Sequence, residues 1–119
     1  MENSQLPDGS GFGPIRGLKV LDIGTLIAGP FGAGILADFG ADVIKVELPG
    51  VGDTIRRYGK PTKSGSSLAW LDAARNKRCV TLDLRKEEGQ KVMKRLVEWA
   101  DVLIENFSPG TLESWNLGY

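Results

Sequence analysis

Three short stretches of the sequence combine residue types that could bind a phosphate or a nucleotide. Residues 25–30 (TLIAGP) lie at the predicted start of a helix, where free N–H groups can hold an anion. Arg85 follows an apolar segment and offers a cation. Residues 105–110 (ENFSPG) offer the amide of Asn106 beside the ring of Phe107, on which a purine could stack. Each stretch also has a plainer interpretation, namely a crossover turn, a solvated surface cation, and a turn residue beside a core phenylalanine.

A fourth motif, residues 32–37 (GAGILA), matches the G-x-G-x-x-A form of a dinucleotide-binding fingerprint, with Glu47 placed as a ribose ligand. In a true fingerprint the first glycine ends the strand directly, whereas eight residues separate Ile23 from Gly32. The glycines are therefore predicted to lie inside the helix, where they more often allow close packing on the sheet. Nicotinamide binding is disfavoured.

No residue is predicted to be catalytic from its spacing. Several carboxylates could be proposed as nucleophile or base, but none has a partner at diagnostic spacing: Asp22, Asp38, Glu47, Asp53, Asp83 and Glu105. The basic stretch 75–78 (RNKR), with Arg85 and Lys86, could hold the phosphates of a large nucleotide, although solvated surface charge is the commoner explanation. Cys79 lies within a predicted strand and is expected to be a small buried hydrophobic residue.

The elements that must position these residues begin with a βαβ unit over residues 18–47. Residues 19–23 and 42–47 are short apolar segments typical of strands buried on both faces of a parallel sheet. Between them, apolar residues recur at helical spacing and Gly40 ends the helix. Two parallel strands require such a crossover, and the crevice at their carboxyl ends is where α/β proteins bind ligands.

The rest of the chain continues the alternation of strand and helix. Residues 78–84 and 101–107 are predicted strands, and residues 86–100 a helix with two glutamates in its first turn. Residues 68–74 could form a short helix, after a connection at 49–67 without elements of its own. The predicted fold class is α/β, a parallel sheet with flanking helices.

Composition narrows the functional class. In 119 residues there are 15 basic and 15 acidic side chains, and this balance argues against binding to nucleic acid or to an anionic membrane. The chain has no histidine and one cysteine, so no ordinary zinc site or internal disulfide is expected, and a reducing cytoplasm fits. Residues 1–14 are predicted to be a flexible leader, and residues 15–119 form at most one domain, which is short for a complete doubly wound enzyme.

Three motif blocks together resemble a known family. The blocks GLKVLDIGTLIAGPFGAGILADFGADVIKVELPGVGD, RNKRCVTLDLRKEEG and ADVLIENFSPGTLE are similar to the N-terminal segment of class III CoA-transferases, the CaiB/BaiF or formyl-CoA transferase family, from about residue 17 to 119. The resemblance implies a Rossmann-like sheet in an interlocked homodimer. It also implies transfer of coenzyme A between an acyl-CoA and a carboxylic acid, with CoA as substrate and no tightly bound cofactor. The family's nucleophilic aspartate lies in a segment beyond residue 119, so the chain is expected to be a fragment that is inactive alone.

The resemblance also implies CoA contacts at particular residues. They follow three successive strands: Leu26, Ile27, Leu82, Arg85, Asn106, Phe107 and Ser108. Two positions depart from the family, since Leu48 and Ser114 stand where arginine is common. Arg56 or Arg57 could supply the missing charge, and Trp115 could stack on the adenine.

The sequence leaves two alternatives to CoA transfer. The related α-methylacyl-CoA racemases typically have a shorter connection before the NKR-like block and lack the ENF-x-PG pattern, whereas both transferase features are present here. Transfer is therefore favoured over racemisation. A non-catalytic nucleotide-binding fragment is the remaining alternative.

Overall fold

The computed structural model describes residues 12–119 and contains a parallel sheet of four strands with helices on both faces. Its elements, in chain order, are β1 (Lys19–Asp22), α1 (Ala28–Asp38), β2 (Asp42–Glu47), a 3-10 turn (Thr54–Arg57), α2 (Leu68–Ala74), β3 (Lys77–Thr81), α3 (Glu87–Trp99), β4 (Val102–Ile104) and α4 (Thr111–Ser114). The strand order is β3-β2-β1-β4. The predicted α/β fold class is confirmed, and residues 1–11 of the predicted leader lie outside the described residues.

The sheet separates two hydrophobic cores. β1 and β2 pair in parallel with Leu21 opposite Ile44, and both strands are buried by helices on each side. On one face Leu21 and Ile44 pack with Met93 of α3, and on the other Val20 and Val43 pack with alanines of α1. Because all four strands are parallel, their carboxyl ends lie at the same edge of the sheet, where α/β proteins bind ligands.

Two glycines outside the fingerprint allow α1 to start against the end of β1. A Cβ added at Gly24 would lie 2.8 Å from the Cα of Gly29, and the reverse distance is also 2.8 Å. The fingerprint glycines do lie inside α1, as predicted, but a Cβ at Gly32 would meet no described atom within 4 Å. One at Gly34 would only touch atoms 4.0 Å away. The packing reason predicted for those glycines is therefore wrong, since the close approach is at Gly24 and Gly29.

The long connection after β2 has structure that the sequence analysis missed. Asp53 caps the 3-10 turn by accepting a hydrogen bond from the N–H of Ile55 at 3.0 Å. Ser67 caps α2, the predicted short helix, in the same way through Trp70. Gly52 has a φ of +69°, and a Cβ there would lie 2.6 Å from the Arg56 side chain. The connection folds back on itself.

The two outer strands are shorter than predicted. β3 ends at Thr81, because the chain turns at Asp83, whose carbonyl accepts the N–H of Lys86 at 3.1 Å. β4 ends at Ile104, ahead of the turn that holds the predicted site residues. β3 is an edge strand and Cys79 is exposed on it, so the prediction of a buried thiol is wrong.

α3 confirms the predicted helix with Glu87 and Glu88 in its first turn. Its buried face is narrower than expected, because only Met93 is buried while Val92 and Val97 are 42% and 44% exposed. Among residues 12–119, no helix combines the length and the apolar character needed to cross a membrane.

Candidate functional site

A pocket of about 300 Å³ opens where the four strands end. It is lined by Ile23, Thr25, Lys45, Val46, Glu47, Leu48, Val51, Gly52, Asp53, Thr54, Leu82, Asp83, Leu84, Arg85, Phe107 and Trp115. Three of the predicted contact residues are among them, namely Leu82, Arg85 and Phe107. The structure thus brings together Leu82 and Arg85 after β3 and Phe107 after β4, whereas the residues predicted after β1, Leu26 and Ile27, do not line this pocket.

One wall of the pocket is aromatic. Phe107 and Trp115 meet edge to face, with ring centroids 5.3 Å apart and ring planes at 75°. Leu48, Val51 and Leu82 add apolar surface. A largely apolar pocket with aromatic walls and a few charged groups suits a purine or another flat, partly polar ligand.

Arg85 supplies a cation at the rim, and its charge is partly matched by Asp83. The guanidinium donates from Nε to Asp83 Oδ1 at 2.8 Å and from Nη2 to Oδ2 at 2.9 Å, while 58% of the Arg85 side chain remains exposed. These hydrogen bonds from Arg85 lower the pKa of Asp83 to about 2. The pair is therefore ionised at neutral pH, and Arg85 is accessible to an anionic ligand.

Four predicted contact residues do not line this pocket. The side chain of Asn106 is bonded to the backbone of Thr25, so its amide is engaged within the protein. Leu26 turns its N–H toward Asp53. Ile27 is 54% exposed beside a smaller cavity of about 180 Å³ between α1 and α2. Ser108 is exposed, and its carbonyl accepts the N–H of Thr111 at 3.1 Å.

Beneath the pocket lies a group of buried charges that the sequence analysis did not predict. Lys45 donates to the carbonyl of Gly24 and lies 3.0 Å from Asp53 Oδ2 and 3.9 Å from Asp22 Oδ1. Lys77 donates to the other oxygen of Asp22 at 3.0 Å and to the carbonyl of Pro30 at 2.6 Å. Buried charges of this kind require partners, because desolvation disfavours the ionised forms.

A second part of this group fixes the connection after β2. Arg56 donates two hydrogen bonds to Glu47, at 2.7 Å from Nε and 2.8 Å from Nη2. Its guanidinium also lies 3.6 Å from the centre of the Trp70 ring. Arg56 is therefore occupied within the protein, whereas Arg57 is exposed and donates to the carbonyl of Val51 on the pocket wall. Of the two arginines considered as replacements for the missing family charge, the geometry favours Arg57.

Two carboxylates of this group, those of Glu47 and Asp53, are held in their ionised form. Burial acts to raise the pKa of Glu47 and of Asp53. The hydrogen bonds from Arg56 to Glu47 and from two backbone N–H groups to Asp53 outweigh that effect, so both pKa values lie below their ordinary range. Burial also lowers the pKa of Lys77, against the attraction of Asp22.

The basic stretch 75–78, which runs into the start of β3, does not form an anion site. Each of its cations is paired with an aspartate: Arg75 with Asp38 at 2.5 Å, Lys77 with Asp22 at 3.0 Å and Arg78 with Asp42 at 2.7 Å. The structure therefore favours the interpretation as structural charge. Among the described residues, no group of three or more potential ligands could hold a metal ion.

One sequence signal could have revealed the buried charges. Lys45 stands within the apolar segment 42–47, which was predicted to be buried on both faces. A lysine is almost never fully buried without a partner. A carboxylate near the ends of β1 or β2 was therefore required. Asp22 was the best candidate, because it lies directly opposite Lys45 in the pairing of β1 with β2.

The fold and the pocket define a parallel α/β protein with a ligand crevice at the carboxyl edge of its sheet, and sequence comparison identifies the family. Residues 15–119 match the model of CoA-transferase family III. The chain belongs to this family.

Named relatives agree with this assignment. The chain is 55% identical over 106 residues to the succinyl-CoA–L-malate CoA-transferase beta subunit of Chloroflexus aurantiacus, covering 89% of this chain and 26% of the relative. It is 42% identical to human succinyl-CoA:glutarate CoA-transferase, covering 89% of this chain and 24% of that protein. The chain thus spans about a quarter of the length of the curated relatives it matches.

Solved structures have the same fold. A CaiB/BaiF family protein from Brucella suis is 42% identical and superimposes with a TM-score of 0.82, covering 90% of this chain and 29% of that one. A hypothetical protein from Mycobacterium tuberculosis is 40% identical with a TM-score of 0.80, covering 91% of this chain and 29% of that one. These matches support the Rossmann-like arrangement of the sheet.

Proposed function

We propose that this chain supplies part of the CoA-binding site of a class III CoA-transferase, an enzyme that moves coenzyme A from an acyl-CoA to a carboxylic acid. The observation that carries the proposal is the meeting of Leu82, Arg85 and Phe107 in one pocket at the carboxyl edge of the sheet. Leu82 and Arg85 follow β3 and Phe107 follows β4, and the family resemblance assigns each of them to CoA. A site assembled from separate strand ends is typical of ligand binding in α/β proteins.

The relatives suggest the chemical class of the substrates. Six of them are named for succinyl-CoA together with L-malate, D-citramalate or glutarate. All of these partner acids are dicarboxylic acids. We therefore propose succinyl-CoA as the donor and a dicarboxylic acid as the acceptor.

The pocket supports separate roles for its walls. Phe107 and Trp115 offer the aromatic surface for the adenine ring, and Leu82 adds to the apolar lining. Arg85 lines the pocket and Arg57 donates to the carbonyl of Val51 in its wall, and both exposed cations would meet phosphate groups. Asn106 would act indirectly, because its side-chain amide fixes the backbone of Thr25 in the turn after β1.

The remaining contacts and the assembly are also proposals. Leu26, Ile27 and Ser108 would contact the CoA chain outside the pocket, where Ile27 and Ser108 are exposed. A homodimer is proposed from the family resemblance. A cytoplasmic location is proposed because the chain has a single cysteine, which fits a reducing compartment. CoA is treated as a substrate, and no tightly bound cofactor is proposed.

Calorimetric titration of the purified protein with CoA and, separately, with NAD tests the proposal. We expect heat of binding with CoA and none with NAD. The variant Phe107→Ala should weaken CoA binding, and the matched variant Phe31→Ala, which alters an exposed ring of α1 outside this pocket, should not. Binding of NAD in place of CoA would restore the dinucleotide interpretation, and equal binding by both variants would exclude this pocket.

A further inference from the structure

Asp53 connects the separate segments that form the pocket. Its Oδ1 accepts the N–H of Leu26 at 2.9 Å and the N–H of Ile55 at 3.0 Å. Its Oδ2 lies 3.0 Å from Nζ of Lys45, which also donates to the carbonyl of Gly24. Two side chains thus fix the turn after β1, the strand β2 and the 3-10 turn to one another.

This ion pair is almost completely removed from water. The side chains of Lys45 and Asp53 are each 1% exposed. Within residues 12–119, Asp53 Oδ2 receives no hydrogen bond in addition to the ion pair. Removing two charges from water costs about as much as their attraction returns, so a buried ion pair is weak evidence for stability. Fixing the register of the attached segments is the better supported role of such a pair.

The backbone next to Asp53 needs such a constraint. Leu26 has a φ of 62°, in the left-handed region that residues with a branched side chain rarely adopt. A strained backbone conformation of this kind persists only where contacts with the surrounding structure hold it in place, and such conformations cluster at functional sites. The hydrogen bond from the Leu26 N–H to Asp53 Oδ1 supplies the constraint here. Thr25, the preceding residue, lines the pocket.

We propose that Asp53, held by Lys45, is a positioning residue of the CoA site. It keeps Leu26 in the left-handed conformation and fixes the 3-10 turn, so that Thr25 and Thr54 face the same pocket. The identity of the ligand rests on the proposed function. The positioning of the two segments does not depend on it and can be measured separately.

The conservative variant Asp53→Asn tests this role in the purified protein. Asparagine keeps the shape of the side chain and an oxygen acceptor, but it lacks the charge that pairs with Lys45. We expect hydrogen exchange, followed by mass spectrometry, to become faster in the peptides that contain Leu26 and Ile55. We also expect the Kd for CoA to rise about tenfold. The matched control Asp38→Asn removes an exposed ion pair with Arg75 outside the pocket and should change neither quantity.

Further variants keep the test decisive. Asp53→Asn should weaken CoA binding less in a Leu26→Gly background than in the wild type, because glycine adopts a positive φ without a steric penalty. Leu26→Gly alone is the reference for this comparison, since it accounts for the loss of the Leu26 side chain from its proposed CoA contact. If Asp53→Asn alone does not fold, Lys45→Met combined with Asp53→Asn removes the ion pair without leaving a lone buried charge. The proposal is overturned if exchange at Leu26 is unchanged, if CoA binds to the Asp53 variants as it does to the wild type, or if Asp53→Asn weakens binding equally in both backgrounds. Failure of the wild type to bind CoA would instead contradict the proposed function, while the exchange data would still decide the role of Asp53.

Discussion

The side-chain amide of Asn106 spans the backbone of Thr25. Its Nδ2 donates to the carbonyl of Thr25 at 2.9 Å, and its Oδ1 accepts the Thr25 N–H at 2.7 Å. The two residues follow β4 and β1, which are neighbours in the sheet, so the amide fastens one strand end to the next. The close approach of Gly24 and Gly29 leaves the space that this amide occupies, because a Cβ at either glycine would lie within 3.0 Å of Asn106 Oδ1.

Replacing Asn106 by alanine should loosen the turn after β1. Both hydrogen bonds to Thr25 are lost, which we expect to lower the free energy of unfolding by about 1–3 kcal/mol. The Michaelis constant for the CoA donor should rise as well, because Thr25 lines the pocket. Urea denaturation and, for the CoA transfer that we propose, steady-state kinetics measure the two effects.

The variant Asn106→Asp separates the two hydrogen bonds. Aspartate keeps the acceptor for the Thr25 N–H but places a second oxygen against the Thr25 carbonyl. We expect a loss at least as large as that of Asn106→Ala. An unchanged Michaelis constant in both variants would remove Asn106 from the site.

Much of the fold could be predicted because local pattern and tertiary role agree in the βαβ unit. Residues 42–47 form β2 with the predicted bounds, since a short apolar segment after a glycine has few alternatives. The end of β3 could not be placed in this way. Residues 82–84 continue the alternation of the strand, yet Leu84 is buried in the core beyond the turn at Asp83, a tertiary contact with no local signal.

The ion pair between Lys77 and Asp22 should be essential for folding. Both side chains are fully buried, and the carboxylate of Asp22 also accepts the N–H of Gly24 at 3.1 Å. We expect Lys77→Met to cost about 3–5 kcal/mol, because it leaves a buried carboxylate with weaker compensation. Chemical denaturation monitored by circular dichroism provides the measurement.

A matched lysine variant tests whether burial causes this loss. Lys91→Met removes an exposed pair with Glu87 one helical turn away and should cost no more than about 0.5 kcal/mol. Equal losses for the two lysines would contradict the assignment of Lys77 to a buried structural pair.

The candidate site was predicted less completely than the fold, and the reason lies in long-range pairing. Leu82 directly follows β3 and Phe107 lies three residues after β4, close to the carboxyl ends of strands that the sequence predicted with longer bounds. Asp53 reaches the pocket from a connection that was predicted to have no structure of its own. Its partners Lys45 and Leu26 are separated from it by 8 and 27 residues, and no periodicity connects positions at such spacing.

Arg56 and Arg57 are adjacent in sequence, yet they should respond differently to replacement by lysine. Arg56 makes two hydrogen bonds to the buried carboxylate of Glu47 and lies on the Trp70 ring, and lysine can reproduce neither geometry. We expect Arg56→Lys to lower the free energy of unfolding by about 2–3 kcal/mol. Arg57→Lys should leave stability within about 0.5 kcal/mol of the wild type, because Arg57 is exposed.

Arg57 should matter for ligand binding although it matters little for stability. If Arg57 meets a phosphate of CoA, Arg57→Ala should raise the Kd for CoA in calorimetry while Arg57→Lys retains part of the affinity. Equal affinity of wild type and Arg57→Ala would exclude this residue from the phosphate contacts.

The pair of Asp83 and Arg85 should remain intact far into the acid range. The pKa of Asp83 is lowered from 3.8 to about 2 by its hydrogen bonds from Arg85. A depressed carboxyl pKa contributes stability that is fully present above the ordinary value near 3.8 and is lost as the pH falls through about 2. Its contribution to stability should therefore decline between these two pH values, and the pair itself should open as the pH falls through about 2, which an NMR titration of the Asp83 carboxyl carbon can follow.

Two variants test whether Arg85 causes the low pKa of Asp83. Arg85→Ala should return the pKa of Asp83 toward 3.8, whereas Lys86→Ala should change it little, because Lys86 acts only through its more distant charge. In the same samples, Arg85→Ala should weaken CoA binding at neutral pH, where Asp83 is ionised in both proteins and the difference reports the lost cation. A low Asp83 pKa that persists without Arg85 would show that the backbone of the turn, rather than the guanidinium, holds this carboxylate.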